Sequence, residues 1–501
     1  MTMETIRLVK PTAPPMKPTI VIAGATGFIG HAVAARLAGR FDVTGLTRGR
    51  TEAKGAWDRL VTCDLFSLKE VETAFTGARY VAYLVHSMLP SARLVQGSFQ
   101  DLDLICADNV GRAAAKCGVE QIVYLGGLIP VDDRELSEHL KSRREVELAL
   151  GAHGVPVTTL RAGMVIGPRG SSFEMMTRLV KRLPAMILPS WTERQCQPID
   201  LGTVAALVDT VTGVPEHYNQ TYDIGGPDVL RYREMLDVVA IEKGVNRRQI
   251  RVPFVSPGIS RLWVSMITGA PPSLVKPLIE SLHHDMVCGD RRLQDAVGLP
   301  GLAFREAVHA SIAVADATDG KKPQAYKPAP AAPLTGVRSV QRVPLPAGRD
   351  AEWAAHEYMR WLPHGAWPMR VEVDDEHHLT RFYLRPFKAA LLELDFARDR
   401  SAKDRQLFYV TGGRLSAKQS KGRLEFRVTP DGEHLLTAIH DFAPSLPWSI
   451  YRYSQALVHR FVMWRFGRHL ARVPAIAEPV QPAESMQQAS PPSASSVSSR
   501  S

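Results

Sequence analysis

Thr19-Ile20-Val21-Ile22-Ala23-Gly24-Ala25-Thr26-Gly27-Phe28-Ile29-Gly30 is the stretch whose reading decides the fold. Residues 19–23 are a short apolar run of the kind that forms a strand buried on both faces. Beyond the glycines, Ile29, Val33 and Leu37 recur every four residues, which puts them on one face of a helix. Strand, glycine loop and helix in direct succession predict a tight βα turn. In it Gly24 permits the bend, Gly27 lets backbone N–H groups approach a pyrophosphate, and Gly30 lets the helix pack closely on the sheet. The plain alternative is the same turn with no ligand.

Outward from this loop the pattern repeats. FDVTGLTR from 41, YVAYLVH from 80, QIVYLGGL from 121 and PVTTLRAGMVIG from 156 read as strands, while 98–117 and 135–150 read as helices. This alternation predicts an α/β fold, a Rossmann-type doubly wound parallel sheet. Residues 1–18 read as a flexible leader and 19–320 as the nucleotide-binding domain, with a substrate subdomain at about 170–315 that includes helices near 201–212 and 231–243. Residues 321–346 are rich in Pro and Ala and read as a linker. From 347 to 473 the pattern changes to strands such as Leu424, Phe426 and Val428 alternating with Glu425 and Arg427, followed by one helix from Trp448 to about Arg472. That predicts a second, α+β domain with half-buried hairpins. The Ser/Pro/Gln-rich tail, 474–501, reads as disordered.

Composition narrows the function. With 501 residues, 45% hydrophobic and 22% charged, the chain is an ordinary globular protein of several domains. Its 61 Lys+Arg against 51 Asp+Glu, a net +10, favour anionic partners. No reading module or basic groove with stacking aromatics marks a nucleic-acid binder. The 5 cysteines are scattered without metal-ligand spacing, which predicts no metal site and a reducing, cytoplasmic setting. No stretch reads as a secretory signal or a membrane span.

Past the second strand, where an NAD enzyme usually carries an acid for the ribose hydroxyls, the chain reads Thr47-Arg48-Gly49-Arg50. Arg48, with Arg50 and Lys54 near it, suits the 2′-phosphate of NADP, and a charge-assisted bond of about 1.5–3 kcal/mol gives roughly ten- to hundredfold preference. A solvated basic loop is the alternative. Asp64 and Leu65, after the third strand, are placed for the adenine, with Asp64 accepting from the exocyclic amine or serving only as a loop aspartate.

GATGFIG at 24–30, YLVHSM at 83–88, QIVYLGGL at 121–128, SEHLKSR at 137–143, VTTLRAGMVIG at 157–167, QPID at 197–200 and YDIGGPDVLRYREML at 222–236 together resemble the atypical short-chain dehydrogenase/reductase family. The resemblance covers 19–315 and is nearest to the NmrA-like, NAD(P)-binding branch that includes the complex I accessory subunit. It implies a cofactor loop at Gly24, Thr26, Gly27, Phe28, Ile29 and Gly30. Bacterial proteins of that branch carry a C-terminal domain of unassigned function, which the second domain here resembles, and its strands and long helix are similar to the START-like, helix-grip fold.

The resemblance also exposes a departure. The family's usual serine and Tyr-x-x-x-Lys are replaced by Gly126-Gly127 and by His139-Leu140-Lys141-Ser142-Arg143. His139 and Arg143, four apart, share a helix face. Either they replace the lost groups, with His139 exchanging a proton near an ordinary pKa of about 6.5 and Arg143 holding an oxyanion, or they belong to a solvated helix paired with Glu135 and Glu147. His86 and Ser87 end the fourth strand beside the expected cofactor, and Arg161 with Gly163 either lines the cleft or, for Arg161, pairs with a carboxylate of the sheet.

Two segments bear on lipids. Residues 251–280 are apolar and proline-broken, and read as a pocket lid or as subdomain core. The final helix interleaves Trp448, Ile450, Tyr451, Leu457, Phe461, Trp464 and Phe466 with arginines. It reads either as a peripheral anchor at the inner membrane surface or as a core helix of the second domain. The sequence thus predicts an NADP(H)-dependent oxidoreductase acting on a hydrophobic carbonyl or alkene such as a lipid, isoprenoid or quinone. A non-catalytic NADP(H)-binding sensor or assembly factor, and a lipid-binding module fused to a cofactor domain, are the alternatives.

Overall fold

The computed structural model describes residues 17–49, 54–86, 92–130, 136–182, 185–245, 248–251, 282–318, 336–417 and 421–476. Ser87, Arg50, Glu135, residues 1–16 of the expected leader, 252–280 of the expected lid, 321–335 of the expected linker and the tail from 477 lie outside the described residues.

Seven parallel strands form the first sheet: β1 (Thr19–Ala23), β2 (Asp42–Thr47), β3 (Arg59–Thr62), β4 (Tyr80–Tyr83), β6 (Gln121–Gly127), β7 (Val157–Ala162) and β8 (Thr221–Ile224). A further strand, β5 (Leu94–Gln96), leaves this sheet for another described below. The order is β8-β7-β6-β4-β1-β2-β3, a Rossmann-type α/β fold whose direction of winding reverses between β1 and β4. Alternate residues of β1 face opposite layers. Ile20 and Ile22 pack with α1 (Phe28–Leu37), and Val21 and Ala23 pack with α2 (Leu68–Phe75), α3 (Phe99–Cys117) and α4 (Glu138–Gly151). Full burial of each large aliphatic here contributes about 1.5–3 kcal/mol, so covering both faces explains the unbroken apolar run.

Helices α5 (Ser171–Arg182), α6 (Leu201–Val211), α7 (Tyr232–Glu242) and α8 (Phe304–Thr318) follow. Of these, α5, α7 and α8 build a separate core with Met176, Trp191, Met235 and Phe304 beyond the C-terminal edge of the sheet. This is the expected position of a substrate subdomain.

The second sheet begins earlier than its sequence suggests. Val337–Pro344, inside the expected linker, is a strand, β9, because Val337, Val340 and Val343 are buried while its backbone pairs along β15 (His434–Phe442). Between them come α9 (Ala351–Gly365) and the meander β10 (Met369–Asp374), β11 (Leu379–Leu384), β12 (Leu392–Phe396), β13 (Arg405–Gly412) and β14 (Arg423–Val428). The order is β10-β11-β12-β13-β14-β15-β9-β5, antiparallel except that β5 of the first domain pairs parallel with β9. The two domains therefore share a sheet.

They also share buried charge. Leu424, Phe426 and Val428 do face the second domain's core, but Glu425 and Arg427, expected at a half-solvated surface, are each 2% exposed. The sheet lays that face on α3. All five guanidinium N–H groups of Arg427 are used: Nε on Glu425, Nη1 on Asp108 (2.5 Å) and the Ile105 carbonyl (3.3 Å), Nη2 on Asn109 (2.8 Å) and Glu425. Arg342 joins Asp101 (2.7 Å) and, with both Nη atoms, Glu145 (2.7 and 2.9 Å). Arg112 reaches Asp404 at 2.5 Å in the other direction. Burial alone raises the Asp108 carboxyl, yet Arg427, His153 and Arg112 outweigh it and hold it well below the usual carboxylate range.

The last helix is two, α10 (Trp448–Tyr453) and α11 (Gln455–Leu470), broken at Ser454. Tyr451, Met463 and Phe466 are core, as the core-helix reading has it, whereas Ile450, Leu457, Phe461 and Trp464 are exposed.

Candidate cofactor and substrate site

The glycine loop meets the requirements its sequence set. Gly24 has φ +91°, and the Gly27 N–H closes the turn onto the Gly24 carbonyl at 3.0 Å. A Cβ on Gly30 would fall 2.1 Å from that carbonyl, so no other residue fits. Gly27 is the N-cap of α1, no side chain caps it, and the first turn carries no acid. The helix N-terminus beside Thr26, Phe28 and Ile29 is left with donors for an anion, which fits the pyrophosphate of a dinucleotide.

Arg48 lies exposed one residue past β2, with no ion pair among the described residues. Lys54 is also exposed, and Leu65 is buried with its carbonyl accepting from Asn109 Nδ2 at 2.9 Å. Asp64 is not free for an adenine amine. Its Oδ2 accepts from Arg338 of the second domain at 2.8 Å, and its Oδ1 from the Phe66 N–H at 3.2 Å. Arg161 is likewise taken: Nε and Nη2 grip Glu147 of α4 at 3.0–3.2 Å, and Thr221 bonds the same carboxylate. Arg161 thus pairs with a carboxylate, though one on helix α4 and not on the sheet, and it is absent from the cavity wall that Gly163 lines.

That cavity, about 350 Å³, lies at the C-terminal ends of β4, β6 and β7, between the start of α1 and the core built by α5, α7 and α8. Such a position at the reversal of winding is where α/β sheets bind ligands. Met164, Met175, Met176, Leu179 and Leu236 give it an apolar wall. His86, His139 and Arg143 form its polar corner.

In this corner Arg143 Nη2 bonds Asp103 Oδ2 at 2.6 Å and also His86 Nδ1, while His86 Nδ1 lies 2.8 Å from the same Asp103 oxygen. His86 Nδ1 thus faces an obligate donor and an obligate acceptor, so one proton position satisfies the arginine and the other the aspartate. The His139 ring packs against His86, with centroids 5.0 Å apart. Burial, then His86 and Arg143, pull the His139 pKa down to about 3, and burial with Arg143 lowers His86. Burial thus works against the expectation that His139 carries a transferable proton near neutrality, since it disfavours the charged form of both rings. His86 Nε2, His139 Nδ1 and Arg143 Nε are buried with no hydrogen-bond partner.

His139 and Arg143 are thus brought together at the cavity as their spacing implied, but Arg143 pairs with Asp103 rather than with Glu147. Asp103 was the residue missed. It is a 1% exposed carboxylate in the run Leu102–Ile105 of α3. The signal was three acids, Asp101, Asp103 and Asp108, set among apolar residues in the first half of α3; each takes an arginine, Asp101 and Asp108 from the second domain and Asp103 from the cavity.

Residues 20–135 match the NAD dependent epimerase/dehydratase family. The chain is 30% identical over 149 residues to the auxiliary protein GraX of Staphylococcus aureus, a stretch that is 29% of this chain and 44% of that protein, so it spans under half the length of this curated relative. Among solved structures it is similar to an NADPH-dependent quinone oxidoreductase from Escherichia coli, at 17% identity over 58% of this chain and 98% of that one, with a TM-score of 0.47. A Citrobacter triphenylmethane reductase gives 17% identity over 59% and 99%, also with a TM-score of 0.47.

Proposed function

We propose that the chain is an NADP(H)-dependent oxidoreductase of atypical short-chain dehydrogenase/reductase type that reduces a hydrophobic conjugated carbonyl, of the quinone or enone class. The observation that carries this reading is the apolar cavity beside the glycine loop whose polar corner holds a buried guanidinium with Nε unpaired. Gly24–Gly30 would hold the pyrophosphate and Arg48 the 2′-phosphate. Bound NADPH supplies a hydride to the acceptor.

The residues then set which acceptors work. Reduction would leave an oxyanion, and Arg143, fixed by Asp103 in the cavity wall beside His86 and His139, would stabilise it by its charge. Burial pushes the Tyr232 hydroxyl well above its usual range, and His139 stays neutral. Neither side chain therefore releases a proton readily at neutral pH. A simple ketone would become a strongly basic alkoxide needing that proton at once. A quinone or enone becomes a phenolate or enolate, a far weaker base that Arg143 can hold until it leaves and takes its proton from water.

Oxidation of NADPH by a panel of quinones, enones and matched saturated ketones tests this. Turnover confined to conjugated acceptors, abolished in Arg143→Ala with cofactor affinity kept, is expected. The same lack of a proton donor favours a second reading, a cofactor-binding protein without turnover; tight NADPH binding with no acceptor reduced, and no effect of Arg143→Ala, would select it. The second domain's order, with its first strand beside its last and a final helix on the sheet, supports the helix-grip reading. Its interior is packed by Tyr358, Phe408, Phe426 and Phe466, which favours a structural role over lipid carriage there.

A further inference from the structure

Helices α10 and α11 present two unlike faces. Ala456, Met463, Phe466 and Leu470 are buried on the sheet and α9. On the opposite side of α11 Leu457, Phe461 and Trp464 recur at three- and four-residue spacing, at 50, 55 and 55% exposure, and Ile450 and Tyr453 of α10, across the break at Ser454, are 52 and 72% exposed. An α-helix advances 100° per residue, so the three positions of α11 form one stripe along its axis, to which α10 adds Ile450 and Tyr453. Single exposed apolar residues are ordinary, but a continuous aromatic stripe marks a docking surface.

The charge around the stripe identifies its occupant. From Asp441 to Glu478 the sequence has no acidic residue, and Arg452, Arg460, Arg465, Arg468 and Arg472 are all exposed. Three lie over stripe aromatics: Arg468 over Trp464 (5.1 Å), Arg465 over Phe461 (6.0 Å) and Arg452 over Tyr453 (5.6 Å). The guanidinium groups therefore rim the apolar rings. A surface that is apolar in its depth and anionic at its boundary matches this pattern, and both aromatic side chains and arginine are suited to that boundary. A protein partner or second copy would need a compensating acidic rim, and this face supplies none of its own.

We propose that α10–α11 dock the protein on an anionic lipid surface, with the Tyr453–Leu457–Phe461–Trp464 stripe inserted at the headgroup level and the arginines contacting lipid phosphates. The experiment is flotation of the full chain with vesicles of phosphatidylcholine alone or mixed with phosphatidylglycerol. Binding to the mixed vesicles only, weakened by salt, is expected. Arg460→Glu/Arg465→Glu should weaken it by on the order of tenfold or more, since each basic residue near such a surface contributes about fivefold. Phe461→Ser/Trp464→Ser should abolish it with the melting temperature unchanged, because both side chains already face solvent. Three results overturn the proposal: no binding to mixed vesicles, equal binding by the Phe461→Ser/Trp464→Ser variant, or a dimer in light scattering that this variant dissociates while vesicles bind nothing. The last would assign the face to a second copy of the chain.

Discussion

Two buried arginines touch the same helix with opposite outcomes. Arg427, 2% exposed, reaches α3 from the second domain with every N–H bonded. Arg143, 6% exposed, reaches Asp103 of α3 from the cavity side and keeps Nε buried without a partner. A buried cation with all its donors used is a device for holding parts together. One left short of a partner in a cavity is a device for holding something else. The same residue type thus builds the domain interface on one side of α3 and the site on the other.

The largest effect expected from this contrast is on stability. Arg427→Ala breaks five bonds at the interface, although Asp108 keeps Arg112 and His153 and Glu425 keeps Arg405; it should cost up to about 3–5 kcal/mol in denaturant unfolding, more than Arg143→Ala, whose side chain bonds only Asp103 and His86. Similar losses from both would erase the distinction. In the converse direction, Arg143→Ala should lower kcat by about two to three powers of ten, the usual loss of one oxyanion donor. Asp103→Asn should lower it less, through misplacement of Arg143. Both are read from initial rates on a working acceptor, and an Arg427 variant that remains folded should show neither change.

A third effect tests the cofactor half of the site. Arg48→Glu should weaken NADPH far more than NADH, by roughly ten- to hundredfold for about 1.5–3 kcal/mol, in fluorescence titrations of each. Equal changes would show that Arg48 is only a solvated loop residue.

How much of this was legible in the sequence follows from range. The glycine loop, the parallel strands and the i, i+4 approach of His139 and Arg143 depend on neighbours within one turn or one strand, so their spacing carried them. The fates of Asp64 and Arg161 depended on residues 274 and 14 positions away, and a pattern of types does not show which carboxylate an arginine will choose. Strand β9 was hidden because its prolines and alanine-rich approach resemble a linker, while the burial of Val337, Val340 and Val343 is a tertiary fact. Alternation in β14 told which residues share a face but not that the charged face meets another domain. The lowering of the His139 pKa was not legible for the same reason, since burial is invisible in a helix that reads as polar.

The smallest effect separates the two sides of α3 by pH. At the interface Asp108 and Glu425 are held below their unfolded values of about 3.9 and 4.3 by their arginines, against the opposing effect of burial. Their stabilisation is present above those values and is lost as pH falls below about 4. At the cavity His139 is lowered, so below its unfolded pKa of about 6.5 the unfolded chain binds a proton that the folded chain refuses. Stability then falls by about 1.4 kcal/mol per histidine for each pH unit below 6.5, a window the carboxylates do not share. His440, buried in the interface and also lowered, titrates in the histidine window, so the raw profile does not assign it. The difference between the native chain and His139→Leu does: it should grow in favour of the variant from pH 7 to pH 5 in denaturant unfolding. A difference independent of pH over that range would mean that His139 is solvated and that the polar corner is not closed around it.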